Sequence, residues 1–126
     1  MKKGAKRRTK DDIEYYIVDM FTQYKDKLFL SAFTINSEYN NEATEYMACK
    51  CCYPYLNATI YYGDESLSDF IAGKKDMKPF VLHEFCHLIT DPFYAKASNR
   101  FVSKNEIEDE RERITDMICN VVLNLE

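Results

Sequence analysis

Residues 78–92 read KPFVLHEFCHLITDP. As a helix this stretch is apolar on almost every side, through Phe80, Val81, Leu82, Phe85, Cys86, Leu88 and Ile89. A helix that is hydrophobic all round belongs inside a protein. Its middle nevertheless carries His83, Glu84 and His87, and the chain has 2 histidines in all. A buried imidazole needs a partner that replaces water. Pro79 falls in the first turn, where its missing N–H costs nothing, and Pro92 is expected to close the helix or the turn just after it.

Working outward, Ile13, Ile17, Met20, Phe21 and Tyr24 recur at helical spacing, with Asp11 or Asp12 available as N-cap. Three short stretches rich in β-formers follow: LFLSAFTIN at 28–36, TEYMACKCCYP at 44–54 and ATIYY at 58–62. A polar loop around Asn40 and Asn41 separates the first two. Residues 66–77 hold a short helix that stops near Gly73. After the central helix, residues 104–126 give the clearest helix, with an apolar stripe of Ile107, Ile114, Met117, Ile118, Val121 and Leu125. Strands grouped early and the two main helices late predict an α+β fold: an N-terminal helix, a small three-stranded sheet, the central helix and a C-terminal helix.

At 126 residues the chain fits one domain, with length enough for a real core. Residues 1–10 carry six Lys or Arg and no acid, which predicts a basic, disordered tail ahead of a single domain at 11–126. The remaining eleven bases face twenty-one acids, so the body is near −10. That balance argues against a broad nucleic-acid surface and leaves the tail as the one segment suited to a weak nucleic-acid contact. No apolar run approaches the ~20 residues that cross a bilayer, and no signal-peptide core follows the basic start. The 5 cysteines, odd in number and irregularly spaced, look like reduced thiols. A cytoplasmic protein without a membrane partner is therefore expected. Cys49, Cys51 and Cys52 lack a second Cys or His pair to complete a tetrahedral site, so a packed strand is the simpler reading for them.

His83 and His87 are four apart and so lie one turn above the other on one helix face. Their roots are about 6 Å apart at ~1.5 Å rise per residue, and both rings can reach one ion at ~2.0–2.1 Å. Glu84, rotated by about 100°, can sit beside that ion without ligating it and take a proton from the attacking water. A bound metal is thus the partner the buried imidazoles need. The third ligand must be a carboxylate or a thiolate. Four acids qualify: Glu112 and Glu108, which share one side of the last helix, Glu110 nearer its apolar stripe, and Asp91.

The pattern His83-Glu84-Phe85-Cys86-His87, with an acidic helix downstream, resembles the zincin metallopeptidases. In the gluzincin branch the third ligand is a glutamate on a later helix, followed four residues on by an aspartate that supports a ligand histidine. ERITD supplies Glu112 and Asp116 at that spacing. Size and spacing are also similar to compact cytosolic peptidase domains of the ImmA/IrrE type, found in phage and mobile-element settings. The resemblance covers roughly 58–125 and implies a minimal zincin-like domain. It further implies a Zn2+ cofactor on His83, His87 and Glu112, Glu84 as catalytic base, and hydrolysis of peptide bonds in a specific protein partner. A second donor for the oxyanion is then expected from Tyr94, another tyrosine or Arg100. ATIYY is either an edge strand on which a peptide substrate lies or an ordinary sheet strand. The competing reading is a non-catalytic, metal-stabilised binding or regulatory module, tethered to nucleic acid by the tail.

Overall fold

A computed structural model describes residues 9–42, 44–51, 56–73, 75–97 and 103–126. The order is α1 (Lys10–Tyr24), β1 (Thr34–Tyr39), β2 (Met47–Cys51), β3 (Asn57–Tyr62), α2 (Asp64–Ala72), α3 (Lys78–Ala97) and α4 (Lys104–Asn124). The fold is α+β: four helices and a three-stranded mixed sheet, with a helix at the amino-terminal end.

Helix α1 begins earlier than Asp11 or Asp12 would start it. Thr9 is the N-cap, and Asp12 reaches back to accept the Thr9 backbone N–H at 2.7 Å, which satisfies a donor left open at the helix start. The expectation for residues 1–8 lies outside the described residues. The first strand is displaced too. Residues 25–29 turn instead of extending, and pairing runs over Thr34–Tyr39, into the stretch expected to be loop. Leu28 and Leu30 are buried all the same; their apolarity serves the core under α1 and not a strand. Helix α2 ends at Gly73, whose φ of 66° is the left-handed conformation that glycine takes without strain.

In the sheet β3 is central, parallel to β1 and antiparallel to β2. ATIYY is therefore not an edge strand, and β2 is. Register aligns Tyr39, Tyr62 and Met47, and likewise Ser37, Ile60 and Cys49. Residues directly opposite share a face, so Met47, Ala58, Ile60 and Tyr62 point together into the core with α1 and α3. Thr34, Asn36 and Lys50, on the other face, are less buried or exposed. Phe21 of α1 meets Phe85 of α3 edge to face at 5.3 Å. The Tyr62 hydroxyl, at the end of β3, donates to Glu14 of α1 at 2.6 Å.

Two further expectations change on α3 and α4. Helix α3 continues through Pro92 to Ala97; a proline removes one intrahelical bond, and packing against α4 carries the helix across it. On α4 the buried residues are Ile107, Thr115 and Cys119. Most of the predicted stripe faces out: Ile114 is 38%, Met117 53% and Val121 58% exposed. The face turned to α3 is the one bearing Glu112, Thr115 and Cys119. It is anchored by a Thr90–Thr115 hydroxyl bond at 2.8 Å and by Cys119 Sγ donating to the Pro79 carbonyl at 3.6 Å. No helix among the described residues is long and apolar enough to cross a membrane.

Candidate metal centre

Helix α3 stacks His83 and His87 with ring centroids 4.8 Å apart, nearly perpendicular at 79°. Their Nε2 atoms face each other at 3.1 Å. Each ring is held from behind by a carboxylate: Asp116 of α4 lies 2.7 Å from His83 Nδ1, and Asp91 lies 3.1 Å from His87 Nδ1. An ionised carboxylate only accepts, so both Nδ1 atoms carry the proton and both Nε2 atoms present lone pairs. Into the same point α4 brings Glu112, with one oxygen 3.3 Å from His83 Nε2 and the other 3.4 Å from His87 Nε2.

Three acceptors thus converge with no donor between them, an arrangement that repels itself unless a cation sits at its centre. The spacing suits a metal. Ligand bonds of ~2.0–2.1 Å in tetrahedral geometry place neighbouring ligand atoms about 3.3 Å apart, against 3.1, 3.3 and 3.4 Å here. Without a metal the cation is a proton. Burial pulls the His87 pKa down, but the Asp91 hydrogen bond and the charges of Glu84 and Glu112 outweigh it and leave it above the ordinary value.

Glu84 also lies close; with His83 and His87 it forms a group whose ligand atoms fall within 4.8 Å of one another and which can hold a metal ion. Its situation differs from that of Glu112. Glu84 is 7% exposed and has no hydrogen-bond partner among the described residues. Burial pushes its carboxyl up to about 7, the two histidines pull it back, and Glu112 and Glu45 push it further up. A base titrating near neutrality, beside a cation site and open to a cleft, is suited to moving a proton.

The other acids considered from sequence go elsewhere. Glu108 accepts from the Tyr94 hydroxyl at 2.8 Å. Glu110 is exposed and pairs with Arg113. Asp91 buttresses His87 through Nδ1 and does not face the ion position. Tyr94, engaged by Glu108, has its ring covered by the Arg111 guanidinium at 4.1 Å. Arg100 and Cys52 lie outside the described residues. Cys51 is half-buried on β2; Cys49 is a free thiol, and burial raises its pKa, which disfavours the thiolate that a metal would need.

Sequence reasoning missed Arg111. Its Nε donates to Glu112 at 3.2 Å and its Nη1 lies 3.9 Å from Asp91, so one guanidinium spans both acids that touch His87. Nothing in the string ERERITD distinguishes it from Arg113, which faces solvent. Beside the centre runs an open cleft of about 1030 Å³, lined by residues 44–50 of the β2 segment on one side and by Glu84, His87, Asp91 and Arg111 on the other.

Comparison with protein-family models, with curated proteins and with solved structures found no match in any of the three.

Proposed function

We propose that the chain is a zinc-dependent metallopeptidase of the zincin type, with His83, His87 and Glu112 as the residues that would hold the ion. The observation that carries this reading is the convergence of two ring lone pairs and a carboxylate at 3.1–3.4 Å, with no proton donor among them. The chemistry supplied by such an ion is Lewis-acid polarisation of a carbonyl and of a water. Asp116 and Asp91 hold the rings in the ligating tautomer. Glu84, which is not one of the three proposed ligands, would accept the proton of the attacking water and return it to the leaving amine. Arg111 steadies Glu112 through its Nε and lies beside Asp91. The edge of β2 that no described strand pairs lies beside Glu84 and His87, and its Met47–Lys50 backbone offers groups to which an extended substrate can pair.

The test is elemental analysis of the zinc-loaded wild type and of Glu84→Gln, with hydrolysis of unfolded protein substrates followed in parallel. One zinc per chain in both is expected, with turnover falling by about 10²–10⁴ in the variant. Zinc in both proteins and turnover in neither would put the metal-stabilised binding module first. Absence of stoichiometric metal after loading would remove both readings.

A further inference from the structure

The ion position and Glu84 account for the floor of the cleft and leave its walls unexplained. Glu42 and Glu45, just ahead of β2, line one long side, and Glu108 and Asp109 of α4 line the other. Among the described residues none of the four touches a histidine or pairs with a cation. Glu108 is held by a neutral hydroxyl, which leaves its charge in place. The lining contains two bases, Lys50 and Arg111. Arg111 is committed to Glu112 and Asp91. Against those two bases stand seven carboxylates. A divalent ion and a protonated Glu84 would still leave the cleft two charges negative.

An acidic body explains acidic surface in general: Glu110 pairs with Arg113 and Asp69 with Lys75, but Asp19, Glu38 and Glu65 also stand without an ion pair among the described residues, so acidic walls alone do not mark a site. Two independent features say that something polar enters this cleft. Glu84 opens into it, nine-tenths buried and without a hydrogen-bond partner among the described residues. Among the described residues β2 pairs as a strand only with β3, and the backbone of Met47–Lys50 lies along the cleft.

We infer that the cleft selects extended peptide segments bearing lysine or arginine. Alternate side chains of a peptide on β2 would point to opposite faces, and Glu45 ahead of β2 with Glu108 and Asp109 of α4 line the cleft beside it. The inference deepens the peptidase reading and rests on its peptide-binding half. Binding therefore separates the two. Full-length Glu84→Gln is titrated by fluorescence anisotropy with two labelled peptides of one sequence, one carrying lysines where the other carries glutamates. The lysine peptide is expected to bind on the order of tenfold tighter, and the gap is expected to shrink as salt rises. In Glu45→Lys/Asp109→Lys, which leaves His83, Glu84, His87 and Glu112 in place, the preference should vanish while zinc content and melting temperature hold. Equal affinity for the two peptides, or a preference that survives the double charge reversal, overturns the inference. Selective binding of the lysine peptide by a wild type that never cuts it would sink the peptidase reading and leave this one standing. Equal cleavage of both peptides would do the reverse.

Discussion

At the scale of single residues, the centre depends on which ring nitrogens carry protons. Asp116 and Asp91 decide this by accepting from the two Nδ1 atoms, so their contribution is to orient the rings. Replacing Asp116 with alanine frees the His83 ring to rotate and to swap tautomers. Zinc affinity, measured by competition with a chelating dye, should drop about 10–100-fold, while the melting temperature of the zinc-free protein stays close to that of the wild type. Unchanged affinity would mean that the Asp116–His83 contact is incidental. The pair His83 and His87 was legible in the sequence because a four-residue step on a helix is a local property. Arg111 was not, because its role depends on a neighbour, Asp91, twenty positions away.

At the scale of elements, the decisive contact is α3 against α4. Thr115 is fully buried, and its hydroxyl donates to the Arg111 carbonyl at 2.7 Å. The Thr90 hydroxyl must then be the donor in the Thr90–Thr115 bond. Thr115→Val strands that buried hydroxyl and should cost about 1–3 kcal/mol in urea unfolding. Thr90→Val added to it should cost less than the two single changes summed; strict additivity would dismiss the coupling. The same bond sets the register that brings Glu112 to the rings. Periodicity pointed to the Ile114–Val121 side as the buried face of α4, because it counts apolar residues. The structure buries the Thr115–Cys119 side, where shape and hydrogen bonds to α3 outweigh hydrophobicity. Strand order was illegible for a related reason: 58–62 and 47–51 are both short and apolar, and which is central depends on β1 pairing beside β3.

At the scale of the whole molecule, the candidate centre joins α3 and α4, so an ion held there would link metal binding to folding. Three facing acceptors destabilise the metal-free fold, and an ion bound only by the folded chain should stabilise it by about 2.7 kcal/mol at a hundredfold excess over its dissociation constant. Thermal unfolding with zinc and with a chelator should differ by several degrees, and coincident curves would count against the site. A second global property lies at high pH. Burial, and hydrogen bonds to Asp69 and Glu14, raise the Tyr46 and Tyr62 pKa values above the usual 10.0. Above about pH 10 the unfolded chain releases these protons while the folded chain keeps them, so their contribution is full below pH 10 and is lost as pH rises through the folded values. Chemical denaturation at a series of pH values should show stability falling from about pH 10 upward. The fall should be shallower in Tyr62→Phe, and a level curve to about pH 11 would contradict the assignment.

The sequence by itself determined what is local. It placed the helices within a few residues, stacked two histidines with a glutamate beside them, and set the α+β order of elements, because helical spacing and turn chemistry act over a handful of positions. The tertiary structure alone decided which acid meets the rings, which strand is the edge, which face of α4 is buried and that the cleft is walled by carboxylates. Each of these is a contact between segments far apart in the chain, where rotation of a helix by one residue, about 100°, exchanges one carboxylate for another while leaving the local pattern almost unchanged.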